Sequence, residues 1–417
     1  MSSNSLLIAG GGIAGLASAL ALVQRGHQVQ VLEAAPAFEE IGAGIQLGPN
    51  ATRRLAWLDL EAKLAQLAAQ PEALAVHSAQ TDRALARLPL GHRMSERYGA
   101  PYLCVHRVDL HRMLLDALMS HGGAVLECNA RVDGIEVDAD EVRVRCEDGR
   151  SFSADGLVGA DGLWSRARTQ VVANDAPPRA SGHMAWRGLV QQAALPAALR
   201  RSQVDVWLGP RLHAVSYPVR GGAALNVVVI AETQIGELVD KPVETRDARS
   251  WDRPATLEAL RRATGACCGS LQALLEAMPE WRAWSLHDRA PLASSAAVAR
   301  GRVALVGDAA HPMLPYLAQG AGMAIEDAWA LAGALQPSGS GSGNTRVVSS
   351  AVHGDVDVPA AWDAYARARW QRNARVQRRA RRNGEIFHAS GPMRLGRDAV
   401  LRSLGARVLD VPWLYSQ

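Results

Sequence analysis

The chain opens with a short apolar run, Leu6-Leu7-Ile8-Ala9, followed by small residues from Gly10 to Gly15. Apolar residues then recur at helical spacing over 13–24, with Gly26 placed to end the helix. A second apolar run, Val29-Gln30-Val31-Leu32, ends at Glu33. Strand, tight turn, helix, strand is one half of a doubly wound parallel sheet. Between 182 and 232 the pattern changes to short runs at 184–190, 204–208, 213–218 and 225–231, broken by Gly and Pro, which predicts an antiparallel sheet. Residues 254–277 read as helical, 302–306 as a buried strand, 322–335 as a helix, and the chain from 360 onward as helical. The Gly/Ser-rich, then acidic stretch 337–359 exceeds the ~12–15 residues usual for a structureless loop, so a mobile connection is expected there.

Composition narrows the class. A length of 417 residues with 48% hydrophobic and 21% charged residues suits two or three folded domains. A formal net charge of +4 over that length is too small to predict a nucleic-acid partner. The arginine run 367–382 reads as a solvated helix face with some arginines pairing distant acids, because only Trp370 interleaves as a stacking aromatic. Five scattered cysteines with no Cys-x-x-Cys pair argue against a disulfide framework and a zinc site, and predict a reducing, cytoplasmic setting with no metal. The uncharged stretch 6–23 has no basic residue before it and carries three consecutive glycines, so neither a signal peptide nor a membrane span is expected.

The chemistry-bearing segments begin with Gly10-Gly11-Gly12-Ile13-Ala14-Gly15. In this G-x-G-x-x-G, Gly10 permits the turn, Gly12 lets backbone approach a pyrophosphate, and Gly15 lets helix and strand pack closely. The helix N-terminus offers N–H groups to phosphate, and Glu33 can accept bonds from ribose hydroxyls. Two further segments are Asp161-Gly162 leading to Ser165 and Arg168, and Gly307-Asp308-Ala309-Ala310-His311-Pro312 leading through Pro315 to Gly320-Ala321-Gly322-Met323. His311 reads as a buried turn histidine rather than a catalytic one.

In order and separation these three segments resemble those of single-component flavoprotein aromatic hydroxylases of the p-hydroxybenzoate hydroxylase fold, over essentially the whole chain. The motifs come nearest to 3-hydroxybenzoate 6-hydroxylases, salicylate hydroxylases and 6-hydroxynicotinate 3-monooxygenases. The resemblance implies an α/β fold: a doubly wound FAD-binding domain (1–180 and 285–335), an inserted antiparallel substrate domain (181–284, with 70–100 contributing to it), a connection (336–359) and a helical C-terminal part (360–417). It implies bound FAD, held by Gly10, Gly12, Ala14, Gly15, Glu33, Gly44 in the 42–45 loop, Arg107, Asp161, Asp308 and the 320–323 helix start. With no second G-x-G-x-x-G, NAD(P)H is expected to dock transiently as co-substrate. The implied reaction is hydroxylation of a hydroxylated aromatic or heteroaromatic carboxylate by O2 through a flavin C4a-hydroperoxide. An alternative is a hydroxylase or epoxidase of the same fold acting on a larger polyketide- or quinone-like molecule. Partners are then a small aromatic substrate and O2, with no membrane or nucleic acid, in a monomer or homodimer.

For the substrate, His213 and Tyr217 lie four apart on a predicted strand and so share a face. A similar pair occurs in the resembled families, where the histidine takes or hydrogen-bonds the substrate hydroxyl proton; a pKa near neutrality would suit that task. His213 is assigned as base and Tyr217 as the group that orients the substrate. Arg187 is a candidate partner for a substrate carboxylate. Pro315 stands where 3-hydroxybenzoate enzymes carry Gln; salicylate and hydroxynicotinate hydroxylases share that proline but have His in place of Tyr316. Pro315 and Tyr316 are therefore candidate specificity positions.

Overall fold

The computed structural model describes residues 4–39, 42–232, 253–335 and 356–416. Most of the expected 336–359 connection lies outside these residues. A six-stranded sheet has the order Ala299–Arg300, Val303–Leu305, Gly156–Gly159, Ser5–Ala9, Gln28–Leu32, Ala124–Glu127. All its pairings are parallel except the edge pair Ala299–Arg300 with Val303–Leu305. Leu6 to Ala9 are buried throughout, as a central strand covered on both faces requires. The helix Ile13–Val23 returns the chain between the first two strands, and the helix Gly320–Ala334 packs beside it.

The second layer is an eight-stranded sheet in the order Arg253–Ala255, Trp281–Asp288, Arg179–Gln191, Ala224–Glu232, Leu212–Val219, Val204–Gly209, Ala73–Ser78, Ala84–Pro89. One face is a core of Trp186, Trp207, Leu225, Val227 and Val229 against the helices Leu257–Thr264 and Gly269–Glu276. The other face, carrying His213 and Tyr217, looks toward the first layer. The four predicted middle strands are all present. The helical reading of 254–277 needs correction: its start is an edge strand, because Arg253–Ala255 pairs with the distant Trp281–Asp288, and Gly265, at φ +63°, ends the first of two helices. The strand Trp281–Asp288 also runs across the expected boundary at 284, and Arg179–Gln191 begins before 181.

The helix Val358–Phe387 ties the layers together. Asp357 caps it by accepting from the Ala360 N–H at 3.2 Å, with proline in its first turn. Its first half packs on the parallel sheet, where Tyr365 donates to the Leu305 carbonyl at 2.8 Å; its last turn brings Phe387 beside His213. The arginine run pairs with acids elsewhere in part: Arg369 and Arg372 with Glu326, Arg369 also with Asp327, and Arg381 with Asp288.

Candidate active site

The glycine-rich bend is built as its residue types demand. Gly10 has φ +106°, and a Cβ there would fall 2.4 Å from the Ala160 carbonyl; one on Gly15 would fall 1.9 Å from the Gly10 carbonyl. Gly12 caps the helix, and Ala14 is the next residue of its first turn facing the later segment. The Glu33 carboxylate accepts from the Gly11 and Ala35 N–H groups, each at 2.7 Å, and so sits directly beside the bend. The late segment meets it through Gly307, whose Cβ would lie 2.7 Å from that of Ala14 and 3.4 Å from that of Ala324. Asp308, next in the chain, is exposed.

The helix Gly320–Ala334 starts at the same junction. Its first turn leaves the N–H groups of Gly320, Ala321 and Gly322 without intrahelical acceptors, and nothing stands within 4 Å of where a Gly320 Cβ would be. Met323 differs from its neighbours: its N–H bonds the Gln319 carbonyl at 2.8 Å and its side chain lies in the core with Tyr217, which leaves it no group at the helix mouth. Arg107 begins the helix Arg107–His121, with its N–H on the Ala43 carbonyl at 2.9 Å, and so fixes the 42–44 loop. Gly44 is gripped from both sides, its N–H by Asn226 Oδ1 at 2.8 Å and its carbonyl by the Tyr217 hydroxyl at 2.6 Å. The Asp161 carboxylate takes Ser165 Oγ and the N–H groups of Arg166 and Ala167, closing its own turn; burial pushes its pKa up despite these bonds.

These residues fit a flavin dinucleotide. Two helix N-termini converge on one junction, glycines clear the backbone where a pyrophosphate would lie, and the carboxylates of Glu33 and Asp308 follow two strand ends.

His311, as expected, is structural. It bonds Asp327, which also takes the Gly307 N–H at 3.0 Å and Arg369 Nε at 2.8 Å. Burial would raise the Asp327 pKa, but His311 and Arg369 override it and hold the group well below the usual carboxylate range. Beside it Glu326 receives Arg369, Arg372 and Asn50, with the same net direction. Asn50 also reaches Gln319 Oε1 at 2.9 Å, so this buried ionic group sets the start of the 320–334 helix.

The substrate-side residues form two groups. His213 and Tyr217 share a sheet face as predicted, but four residues of strand put them roughly 13 Å apart. Tyr217 packs with Tyr102, Cys104 and Met323, and its hydroxyl is committed to Gly44. That bond ties Tyr217 to the 44-loop, at the other end of the strand face from His213. His213 instead meets Tyr316, with ring centroids 5.2 Å apart, Phe387 at 5.4 Å and His388 at 5.2 Å. Its Nδ1 lies 2.9 Å from His388 Nε2. Burial lowers the His213 pKa to about 3, with His183 adding to the effect, so the expected near-neutral value is not met. His388 is lowered to about 2, first by burial, then by His213, His183 and Arg397.

Tyr316 bonds His183 Nδ1, and its ring fills the space a side chain on Gly384 would need. Pro315 is exposed at the turn before it. Arg187 lies on the same sheet face with its guanidinium 5.6 Å from the Trp284 ring centroid, and its charge lowers the His106 pKa, which burial lowers most. A cleft of ≈ 390 Å³ opens beside Tyr316, lined by Arg179, His183, Glu232, Asp288, Arg381 and Glu385. Sequence reading missed His183, His388 and Asn226. Only His388 had a signal, as a histidine beside Phe387 shortly after the arginine run 367–382.

Residues 4–364 match the family described as FAD binding domain. The chain is 36% identical over 413 residues to 3-hydroxybenzoate 6-hydroxylase of Polaromonas naphthalenivorans, covering 98% of this chain and 95% of that one. It is 35% identical to salicylate hydroxylase of Pseudomonas putida, covering 93% and 86%. Klebsiella pneumoniae HpxO, solved with FAD and uric acid, superposes with a TM-score of 0.80 at 26% identity, covering 97% of this chain and 94% of that one. No helix among the described residues is long and apolar enough to cross a membrane. The glycine bend, the converging helix starts and these likenesses agree: the chain belongs to the FAD binding domain family of flavoprotein monooxygenases.

Proposed function

We propose that this enzyme hydroxylates a small aromatic or heteroaromatic ring bearing a hydroxyl and a carboxylate, of the hydroxybenzoate, salicylate or hydroxynicotinate class, using FAD, NAD(P)H and O2. The observation that carries the substrate side is the His213–His388 contact of 2.9 Å on the sheet face turned toward the flavin domain. With Nδ1 committed to His388, Nε2 is the His213 nitrogen left for a ring hydroxyl. A histidine whose pKa is about 3 does not stand as an imidazolium. It draws on the hydroxyl proton as a neutral hydrogen-bond acceptor, which raises the electron density of the ring.

When bound and reduced by the nicotinamide, FAD would activate O2, the source of the electrophilic oxygen. The residues for its pyrophosphate are Gly10, Gly12, Ala14 and Gly15, with Glu33 and Asp308 for hydroxyl groups and Arg107 and Gly44 beside the ring. The N–H groups of Gly320, Ala321 and Gly322 would stabilise negative charge gained by the flavin on reduction. Tyr316 and Phe387 wall the substrate ring beside His213, and Arg187 is the carboxylate partner. The five cysteines, all free thiols, suit a reducing cytoplasm.

The test is product formed per NAD(P)H consumed, over a panel of hydroxybenzoates and hydroxynicotinates. In His213→Ala we expect product formation to fall by about 10²-fold or more while flavin remains bound. An unchanged rate and coupling would remove His213 from the chemistry.

A further inference from the structure

The geometry points to a binding site for a divalent transition ion of the zinc class, formed by His183 Nε2, Glu232 Oε1 and His388 Nδ1. These atoms come from three elements. His183 and Glu232 are directly paired residues of neighbouring strands, and His388 caps the long C-terminal helix. Glu232 Oε1 lies 3.5 Å from His388 Nδ1 and 4.0 Å from His183 Nε2, and the three atoms lie within 4.8 Å of one another. Donors sharing a tetrahedral zinc at ~2.1 Å stand about 3.4 Å apart, so the set closes by movements on the order of 1 Å. The Glu232 side chain, 39% exposed, has the freedom to supply part of that movement.

Two further observations point to a ligand. His388 Nδ1 is buried without a hydrogen-bond partner, on a side chain only 2% exposed, and it faces Glu232. Both histidines also have their second nitrogen held, His388 Nε2 by His213 and His183 Nδ1 by Tyr316. That is the outer-shell arrangement that orients metal-ligating imidazoles. Two imidazoles and a carboxylate suit a borderline ion, and the adjoining cleft leaves the remaining coordination position to water.

Occupancy has a chemical consequence, which rests on the reading of His213 given above. An ion on His388 Nδ1 forces the His388 proton onto Nε2, where it is donated to His213 Nδ1. His213 must then carry its own proton on Nε2, and that nitrogen turns from acceptor to donor. It can no longer accept a bond from the substrate hydroxyl. No bond to carbon forms and no electron moves; two protons are fixed in place. The site therefore inhibits hydroxylation when filled.

The experiment titrates Zn2+ into the FAD-loaded protein by calorimetry and counts zinc retained after dialysis, for the unaltered chain, Glu232→Gln and His183→Ala. We expect about one ion per chain, with affinity falling in both variants by at least the roughly 10–100-fold that outer-shell changes alone cost. Equal zinc binding by all three proteins, or none by the unaltered chain, overturns the site. Hydroxylation with and without Zn2+ is read in parallel. Inhibition of the unaltered enzyme that Glu232→Gln relieves supports the coupling to His213. Binding without inhibition leaves the site standing and removes the acceptor role of His213.

Discussion

Gly307 lies so close to Ala14 that a methyl group on the glycine would come within 2.7 Å of the alanine Cβ, although 293 positions separate the two in the sequence. This contact brings the N-terminal bend and the start of the 320–334 helix to one place. Gly307 also holds φ +54°, a conformation that disfavours any other residue. Gly307→Ala should cost about 1–3 kcal/mol in overpacking alone and weaken flavin retention. Denaturant unfolding and the visible flavin absorbance of dialysed protein check this.

The buried carboxylates Glu326 and Asp327 share Arg369. Arg369→Met leaves two acids in the core with one cation fewer, and loss of about 3–5 kcal/mol is expected. Urea unfolding at neutral pH measures it. A loss under about 1 kcal/mol would mean that Arg372, His311 and Asn50 satisfy the pair unaided.

Both carboxylates have folded pKa values below their unfolded ones. Their contribution is therefore fully present above the unfolded values near ~4 and lost as pH falls through the folded values. Stability should fall on acidification below ~pH 5, and Asp327→Asn, less stable at neutral pH, should show a shallower decline. Unfolding midpoints taken across acidic pH test the sign directly.

Tyr217→Phe removes the hydroxyl that holds the Gly44 carbonyl and leaves the ring packing in place. A loss of about 0.5–1.5 kcal/mol is expected. With the hydroxyl bonded to the 44-loop, KM for the aromatic compound should change little. A large rise in KM at unchanged stability would return Tyr217 to the substrate.

Arg187→Met tests the carboxylate partner. A bond from a charged group is worth about 1.5–3 kcal/mol, so KM for a carboxylated ring should rise by roughly one to two orders of magnitude. The same ring lacking the carboxylate should be affected far less. Equal effects on both would assign Arg187 to the architecture of the sheet.

Much of the flavin side was legible because its signals are local. Strand, bend and helix fall within the first 33 residues, and the glycine positions state where the backbone must turn or yield space. The substrate side was legible only in part. The strand of His213 could be read from its alternation, but the groups around that side chain come from another strand, a turn and a helix cap, at His183, Tyr316 and His388. No periodicity links those positions. The same limit explains the misread start of 254–277, whose strand character depends on a partner about 28 residues away. It also covers the pKa of His213, lowered by a burial that is not visible in the sequence.

The order of strands has a consequence for how the protein is made. The strand Val303–Leu305 lies directly against Gly156–Gly159, and the long helix that covers it begins at Val358. A ribosome delivering this chain from its amino end leaves the flank of Gly156–Gly159 bare until Val303–Leu305 has emerged. The nascent polypeptide therefore carries an open, hydrogen-bonding edge until that strand joins, and the nucleotide cradle closes only then.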